Sequence, residues 1–426
     1  MKKVIGKTAA VSLMTAAAIF LCGVGTKAMN EKKSVNPWYI NALAFGAKPN
    51  DGADDTEAIK KAMSRPGTAY LPAGEYNISE GLSISNLSIV GDGSDKTIIT
   101  ADIADVNTPI IRTGRTVSIS GVTFRFKDGL VTGEEKEGER IGIYAAGQLA
   151  LQRGSSLTDV KLENVGTGIA SGLGLFKGTE DVIFSVTFDK FEIKDFSFRG
   201  FDFRSDTRTG NYFKDVTVSS GKYRADSAVY MTGEESECAI DSFTVKDTVA
   251  ETPVVFERMN GISARSIRLD NVYALHHSLI KWDSSVAEID NLTFDYCDTH
   301  FSENPLILVG KVNYVDDAVQ TLNSLHIGTL KLNSFNSANA KNIIAREENA
   351  KGDFYFTVDE YTVKNSDFLW DDFPADENKI TITKKGSVKT EGETSDRPDK
   401  CLCPYYTRFY DTTIGKTVVW DGKEWK

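Results

Sequence analysis

The sequence predicts an all-β protein, a right-handed parallel β-helix of roughly ten coils that is closed at its N-terminal end by a short helix. Two observations predict this fold. Short segments with apolar residues at alternate positions recur through most of the chain, and each ends in a residue that suits a bend. From Phe191 to Leu292 these segments begin at residues 191, 216, 243, 267 and 292, in steps of 25, 27, 24 and 25 residues. Self-similarity at a nearly fixed period is typical of a solenoid.

Each alternating segment has the pattern apolar, any, apolar, any, followed by a bend residue. The segments are Leu82-Ile84-Asn86, Val117-Ile119-Gly121, Val160-Leu162-Asn164, Phe191-Ile193-Asp195, Val216-Val218-Ser220, Phe243-Val245-Asp247, Ile267-Leu269-Asn271, Leu292-Phe294-Tyr296, Leu330-Leu332-Ser334 and Tyr361-Val363-Asn365. Alternation buries every second side chain, so each segment is a strand that needs a stacked neighbour. Asn, Asp, Ser and Gly tolerate the tight bends that follow such strands.

A step of about 25 residues accommodates three short strands and three turns, which is one coil of a parallel β-helix. A β-sandwich is the rival interpretation, but its turns need not return in phase at every third strand. The longer steps from 117 to 160 and from 292 to 330 predict loops inserted at the turns. Inserted loops of solenoids often form the binding face.

The N-terminal cap is predicted from a helical pattern. Residues 56–63 place Ala58, Ile59, Ala62 and Met63 at helical spacing. Asp54 or Asp55 precedes them and suits an N-cap. This amphipathic helix can cover the open end of the first coil.

Composition excludes several classes of protein. The chain has 49 Lys and Arg against 60 Asp and Glu, a net charge of -11, and 41% hydrophobic residues. That apolar content excludes wholesale disorder, and the acidic balance argues against nucleic acid as a partner. Five cysteines in 426 residues do not form a disulfide framework.

The first residues have the pattern of an export signal. Lys2, Lys3 and Lys7 precede an apolar run from residue 9 to 24, and Thr26-Lys27-Ala28 offers a cleavage site. We therefore expect a signal peptide over residues 1–28. A membrane anchor is the rival interpretation, but the run is shorter than a typical span of about 20 residues. The expected mature protein is secreted by a bacterium, is not held in a membrane, and carries 45 basic against 60 acidic residues, a charge of -15.

The entry into the β-helix resembles a known superfamily. The motifs are Asn41-Ala42-Leu43-Ala44-Phe45-Gly46-Ala47-Lys48-Pro49-Asn50-Asp51-Gly52, Asp54-Asp55-Thr56, Leu71-Pro72-Ala73-Gly74-Glu75-Tyr76 and Ile89-Val90-Gly91-Asp92-Gly93. They look like the opening of pectate-lyase-superfamily (pectin-lyase-like) β-helix proteins, which include polygalacturonase-like enzymes and phage tailspikes. The resemblance implies a fold and its cap, and it does not fix a reaction.

The C-terminal part differs from the repeat. We expect a β-helix domain over residues 40–383 with its cap at 40–75, a polar linker at 384–400 and a hairpin-like segment at 401–426. Asp421-Gly422 in that segment suits a two-residue turn. The segment is similar to a short hairpin of phage tail and appendage proteins. That resemblance, with the tailspike relatives, implies a homotrimer as one state of the protein.

Candidate chemistry comes from the strands that end successive coils. The segments beginning at Gly200, Ala228, Val254 and Leu279 fall in phase. If Phe203, Met231, Phe256 and Trp282 point inward, the side chains that point outward are Asp202, Arg204, Tyr230, Glu257, Lys281 and Asp283. Stacking would bring residues from neighbouring coils to about 4.8 Å.

This outward set contains the residue types that glycan cleavage needs. Hydrolysis requires two carboxylates, for which Asp202, Glu257 and Asp283 are candidates. Elimination requires a base, Lys281 or Tyr230, with Arg204 or a bound cation stabilising the developing charge. A solvated face of cross-strand ion pairs is the alternative interpretation of each residue.

Four further residues are candidates for binding the substrate. They are Arg258 in the same column, Arg208 and Tyr212 in a loop rich in aromatic and arginine residues, and His277 in the turn before Lys281. Aromatic and guanidinium groups can stack on sugar rings. No metal-binding motif is present, because Cys401-Leu402-Cys403 is too short for a zinc half-site. Calcium bridging an acidic protein and an acidic glycan remains open.

Signature motifs of the catalytic families are missing. The sequence has no Asn-Thr-Asp, Gly-His-Gly or Arg-Ile-Lys of the kind that identifies polygalacturonases, and no Trp-Ile-Asp-His or Arg-x-Pro-x-x-Arg of pectate lyases. Two hypotheses therefore stand. The first is a secreted glycoside hydrolase or polysaccharide lyase that acts on an extracellular or cell-surface glycan. The second is a noncatalytic glycan-binding, adhesion or phage-tail-like structural protein.

Overall fold

A computed structural model of the protein describes residues 38–146, 154–175, 183, 185–204, 210–283, 285–299, 304–309, 323–333, 344–346, 354–364, 380–384, 391–397, 408–419 and 424–426. The expected signal peptide at residues 1–28 lies outside this set. So do Arg208, Cys401, Cys403 and the Asp421-Gly422 turn. Among the described residues, no helix has the length and apolar character that crossing a membrane requires.

The described elements are almost all strands. The first are β1 Tyr39–Asn41, β2 Thr68–Leu71, β3 Gly74–Ile78, β4 Leu82–Ile84, β5 Leu87–Gly91, β6 Thr97–Ala101, β7 Ile111–Thr113, β8 Val117–Phe126 and β9 Ile141–Ala145. The middle ones are β10 Ser155–Ser171, β11 Val186–Phe203, β12 Asn211–Phe213, β13 Val216–Ser219, β14 Arg224–Ala225, β15 Ser227–Ile240, β16 Phe243–Ala250 and β17 Val254–Ala274. The last are β18 Ile280–Asp283, β19 Val286–Asp295, β20 Asp298–Thr299, β21 Ile307–Val309, β22 Asn323–Asn333, β23 Ile344–Arg346, β24 Phe354–Lys364, β25 Ile380–Lys384, β26 Glu391–Gly392, β27 Arg408–Asp411 and β28 Lys416–Val419. Helix α1 is Thr56–Met63, and 3-10 helices span Ala42–Phe45 and Thr394–Asp396.

Strands β1 to β25 form one parallel solenoid of about ten turns, which confirms the predicted β-helix. The predicted period sets the register of the stacked coils. The starts of successive segments are paired in the order Phe191, Val216, Phe243, Ile267, Leu292, Leu330 and Tyr361. A sandwich of facing antiparallel sheets is therefore excluded.

Each coil contributes to three faces, which we name by their stacked strands. The first face contains Thr187, Tyr212 and Ala239 in register. The second face contains the row from Phe191 to Tyr361. The third face contains Phe203, Met231, Phe256 and Trp282 in register. Long strands such as β10, β11 and β17 bend from one face to another.

The interior is one continuous apolar column. Every second side chain of each face is buried, and the middle coils hold a cluster of phenylalanines. Phe188 and Phe213 lie in adjacent coils with parallel rings whose centroids are 4.9 Å apart, and Phe201 packs against both. Stacking of identical side chains is a consequence of the in-register parallel coils.

Most bends after the second face adopt the left-handed backbone that the sequence predicts, but in the coil of Val216 the left-handed residue is Gly221, with φ 56°, and not Ser220. Asn164, Asp195, Asp247 and Asn271 have φ values of 52°, 53°, 43° and 56°, in the left-handed region. Tyr296 adopts the same conformation, with φ 51°, at the equivalent place. The Asn271 amide also donates a hydrogen bond to Asp247 Oδ1 of the preceding coil at 2.8 Å. The bends of successive coils therefore lie above one another, as the strands do.

The first two segments of the repeat lie on other faces than the later segments. Leu82 pairs with Ile111 on the third face, and Val117 pairs with Leu87 on the first face. Val160 pairs with Val122 and not with Val117. Alternation has the same appearance on every face, so the sequence pattern cannot identify the face to which an isolated segment belongs.

The N-terminal cap forms as expected. Helix α1 spans the predicted residues and buries Ala58, Ile59 and Ala62 against the first coil. Asp55 occupies the N-cap position, but its carboxylate accepts from Lys48 N at 2.8 Å instead of bonding the helix. Asp54 Oδ1 accepts from Thr56 N at 2.9 Å and so satisfies a free amide at the helix start.

Beyond the solenoid, strands β26, β27 and β28 form a small separate sheet. Strands β27 and β28 are an antiparallel hairpin whose turn contains Gly415 with φ 63°. The buried Asp411 carboxylate accepts from Thr394 Oγ1 and Arg397 Nε at 2.7 and 2.6 Å. Strand β26 lies within the predicted linker, and the domain boundaries stay a prediction. Cys238 and Cys297 are buried free thiols.

We expect the left-handed bends to limit substitution. Asn271→Val places a β-branched residue at φ 56° and should lower the free energy of unfolding by about 1–2 kcal/mol. Asn271→Gly loses the same amide hydrogen bond but accepts the backbone, so it is the matched control. Urea denaturation of both variants measures the difference, and equal losses for Val and Gly would contradict a backbone origin.

Candidate functional site

The outer side of the third face brings together the predicted column. Asp202 pairs in register with Tyr230, Tyr230 with Val255, and Val255 with Lys281. The four residues expected to point inward beside them, Phe203, Met231, Phe256 and Trp282, are all buried in the core. The sequence alignment of these coils is therefore confirmed.

A second outward row runs parallel to the first. Thr232, Glu257 and Asp283 are paired in register along successive coils. Arg204 directly follows Phe203, so it occupies the same row one coil earlier. Charged groups of two rows thus share one surface.

The inward position of Gly200 explains how Arg199 reaches Asp202. A Cβ atom at Gly200 would lie 2.4 Å from Ala228 O and 2.5 Å from Val218 Cγ1, so this position faces inward and admits only hydrogen. Phe201 also faces inward, and two consecutive inward residues place Arg199 and Asp202 on the same outer side. Their Nη1 and Oδ1 atoms are 3.1 Å apart.

Asp202 is sealed between two guanidinium groups. Besides Arg199, Arg204 donates from Nε to Oδ1 at 2.7 Å and from Nη2 to Oδ2 at 3.0 Å. The Asp202 side chain is 0% exposed. A carboxylate that solvent does not reach and that two cations share cannot take a proton from a bound glycan. Its geometry fits a positioning role, in which it orients both arginines.

Tyr230 lies across the same two arginines. The guanidinium carbon of Arg199 is 3.8 Å from the ring centroid, and that of Arg204 is 5.3 Å away. Burial, followed by the charge of Glu257, raises the pKa of Tyr230 above its ordinary value, although both arginines oppose the shift. A phenol with a raised pKa is a hydrogen-bond donor at neutral pH and a poor base.

Arg204 also contacts a loop inserted from an earlier coil. Its Nη1 donates to Glu137 Oε2 at 2.7 Å, although 67 residues separate the two in the chain. Burial would lower the pKa of Arg204, but hydrogen bonds and charges of Asp202 and Glu137 outweigh it and raise that pKa. Glu137 belongs to residues 127–140, which we call the inserted loop. It accounts for part of the long step between 117 and 160.

The inserted loop is fixed by Glu135. Its carboxylate accepts from Thr132 N at 2.6 Å, from Gly133 N at 2.9 Å and from Ser197 Oγ at 2.5 Å. Burial acts to raise the pKa of Glu135, but these hydrogen bonds outweigh it, so the pKa is lowered. Nearby, Tyr223 donates its hydroxyl to Val131 O at 3.2 Å. The loop is thus tied across several coils beside Arg204.

Of the three carboxylates predicted to be catalytic, Glu257 is the most accessible. Its side chain is 35% exposed, whereas that of Asp283 in the next coil is 10% exposed. Lys281 Nζ lies 3.9 Å from Asp283 Oδ2 and is partly exposed. Neighbouring parallel strands are about 4.8 Å apart. The carboxylates of Glu257 and Asp283 and the ammonium group of Lys281 therefore lie close together on the outer surface.

Of the remaining residues predicted to bind substrate, one lies beside the column and two lie elsewhere in the described structure. Arg258 has a left-handed backbone and places Nε 3.6 Å from Glu257 Oε1, beside the column. Tyr212 lies on the first face, in register with Thr187, so it is separate from the column. His277 is exposed in the turn before β18. Arg208 lies outside the described residues.

Metal binding gains no support from the geometry. Over the described ranges, no group of three or more His, Cys, Asp or Glu side chains is arranged to hold a metal ion. The acidic residues of the third face are instead paired with arginine and lysine. Calcium binding therefore stays an expectation from the sequence, without a described group of ligands to support it.

Sequence reasoning missed three contributors to the site. Arg199 is not among the residues that the sequence pattern predicts, and neither is Asp226, which accepts from Arg199 Nε at 2.5 Å. Glu137 was also missed. The Arg-Gly-Phe-Asp spacing could have indicated the Arg199–Asp202 pair, but no local signal could connect Glu137 to Arg204.

Comparison with known proteins places the chain among β-helix proteins. The family model described as "Rhamnogalacturonase A/epimerase, pectate lyase-like" matches residues 39–274, more than half of the chain. The catalytic unit of a GH87 alpha-1,3-glucanase from Streptomyces thermodiastaticus strain HF3-3 has the same fold. The TM-score is 0.50 at 14% identity, over 84% of this chain and 69% of that one.

Two curated relatives from Azotobacter vinelandii align with parts of the chain. Alginate lyase 7 is 27% identical over 195 residues, which are 43% of this chain and 20% of the relative. Mannuronan C5-epimerase AlgE3 is 42% identical over 73 residues, 14% of this chain and 4% of the epimerase. The chain thus spans a fifth or less of the length of these relatives.

The lowered pKa of Glu135 predicts a pH-dependent contribution to stability. A carboxyl group whose pKa is lowered by folding stabilises the folded protein at any pH above the unfolded pKa of about 4.3. This stabilisation is lost as the pH falls through the lower pKa of the folded state. Glu135→Gln should therefore be less stable than wild type at neutral pH. The difference in free energy of unfolding between wild type and Glu135→Gln should disappear in acid. Urea denaturation from pH 7 to 3 measures this difference. Glu134→Gln on the same loop is the control, and a gap independent of pH would contradict this assignment.

Proposed function

The chain belongs to the rhamnogalacturonase A/epimerase, pectate lyase-like family, and on this premise we propose that it is a polysaccharide-degrading enzyme. The substrate is an extracellular or cell-surface glycan that lies along the outer side of the third face. The reaction is hydrolysis or elimination. Secretion through the expected signal peptide and assembly as a homotrimer are parts of this proposal.

One observation carries the proposal. Glu257 and Asp283 are paired in register on adjacent coils, and Lys281 lies beside Asp283 on the same surface. The partly exposed carboxylate of Glu257 next to the nearly buried one of Asp283 gives two acids in different environments. Different environments are how paired carboxylates acquire separate acid and base roles.

Hydrolysis would use the two carboxylates directly. The more exposed Glu257 would protonate the leaving oxygen or activate water, and Asp283 would take the complementary role. Elimination would use Lys281 as the base beside a uronate carboxylate, with Arg258 or Arg204 stabilising the developing charge. In both cases Tyr230 serves as a hydrogen-bond donor and Asp202 as a positioning residue.

The relatives support a polysaccharide as the substrate class. Their printed activities are those of an alginate lyase and a mannuronan epimerase, both of which act on polysaccharides. Both matches cover only part of each chain, so their activities are not transferred whole. They favour a uronate-containing glycan over a neutral one.

A noncatalytic glycan-binding or tail-like structural role is the second candidate. The observation that favours it is the dense pairing on the third face, where Arg199, Asp202, Arg204 and Glu137 bond one another. Such pairing gives a rigid binding surface without requiring a reactive group. Activity measurements separate the two candidates.

The test is incubation of the purified protein with capsular, algal and plant polysaccharides. New reducing ends without the ultraviolet absorbance of unsaturated uronates indicate hydrolysis, and both signals together indicate elimination. Glu257→Gln should lower a hydrolysis rate, and Lys281→Gln an elimination rate, by about 100-fold or more. Glu288→Gln, an exposed glutamate on the first face, should not change either rate. No product from any polysaccharide would reject the enzyme and favour the binding role, and a rate that neither Glu257→Gln nor Lys281→Gln lowers would reject the site.

A further inference from the structure

Arg204 presents one edge of its guanidinium group at the surface of the third face. The other edge, Nε with Nη2, is held by both oxygens of the sealed Asp202 carboxylate. Arg204 N donates to Ser171 O at 3.0 Å, which anchors the backbone. A bidentate pair of this kind fixes the plane of the guanidinium. The direction of Nη1 is therefore set by buried groups before any ligand arrives.

A carboxylate of the protein occupies that surface edge. Glu137 Oε2 lies 2.7 Å from Arg204 Nη1, and the Glu137 side chain is 52% exposed. The two partners of Arg204 thus differ sharply, because Asp202 is fully buried and Glu137 is half in solvent. Exposed ion pairs contribute little free energy, so Glu137 can leave while Asp202 keeps Arg204 in place.

The surroundings suit a sugar that bears a carboxylate. The Tyr230 ring lies 5.3 Å from the Arg204 guanidinium carbon, and Glu257 is close enough to raise the pKa of Tyr230. An aromatic ring beside a fixed cation offers a stacking surface and an anion contact together. The Glu137 position therefore adjoins the proposed reactive acids.

We propose that Arg204 Nη1 is a binding position for a ligand carboxylate and that Glu137 of the inserted loop occupies it in the free protein as an internal competitor. This inference rests on the proposed function, because it takes the ligand to be a uronate of the glycan. The ligand carboxylate replaces Glu137, and the inserted loop loses one of its contacts to the third face. Glu135, bonded to Ser197, keeps the rest of the loop attached.

Binding of size-defined oligogalacturonate and oligomannuronate tests this by calorimetry on the full secreted chain, with neutral gluco-oligosaccharides in parallel. The measurements use a background with both Glu257→Gln and Lys281→Gln, so that neither proposed reaction consumes the probes. Glu137→Gln should tighten uronate binding about two- to fivefold, which is the affinity that an exposed ion pair can withhold. Glu134→Gln removes the same charge from the same loop and is the matched control. Neutral probes should bind all variants equally.

Two further measurements separate competition from simple docking of the loop. Arg204→Lys keeps the charge but cannot bond Asp202 and a ligand together, so it should abolish the gain from Glu137→Gln. Amide exchange of residues 127–140 should rise when wild type binds uronate and should already be raised in Glu137→Gln. Equal affinity of Glu137→Gln and Glu134→Gln, or weaker binding by Glu137→Gln, would overturn the inference. Binding of neutral probes alone would also overturn it while leaving the proposed function, and no binding of any probe would reject both.

Discussion

The constraint on which this structure depends is the in-register stacking of parallel coils. Each strand has its hydrogen-bond partners in the coil before and the coil after, so no coil is stable without its neighbours. The same constraint converts a one-dimensional pattern into columns. Phe203, Met231, Phe256 and Trp282 become one inner row, and the residues beside them become one outer surface. Core and candidate site are thus two sides of the same strands.

Stacking also requires that every coil bend at the same height. Residues that accept a left-handed backbone recur after the second face, and at Gly200 even a methyl group would collide with the next coil. The inward position of Gly200 has a chemical consequence. It turns Arg199 and Asp202 to the same side, where a buried carboxylate can organise two arginines. The packing of the corner therefore determines the electrostatics of the surface.

The arginine cluster shows why a charged column is not in itself a catalytic site. Asp202 has the right residue type and points outward, yet it is closed off by its partners. Glu257 and Asp283, two and three coils further along, keep partial access to solvent. Accessibility, not residue type, distinguishes the group that positions from the groups that can react.

The sequence by itself determined the β-helix, its capping helix and the register of the later coils. Those features follow from local alternation, bend chemistry and a nearly constant period, all of which are short-range or repeating signals. It did not separate Leu82 and Val117 from the segments of the second face, because alternation does not carry the identity of a face. Only the tertiary structure decided that Asp202 is sealed and that Glu137 reaches Arg204 from a loop 67 residues away. Such contacts depend on how far an inserted loop extends across the coils, which is a property of the folded surface and not of any local pattern.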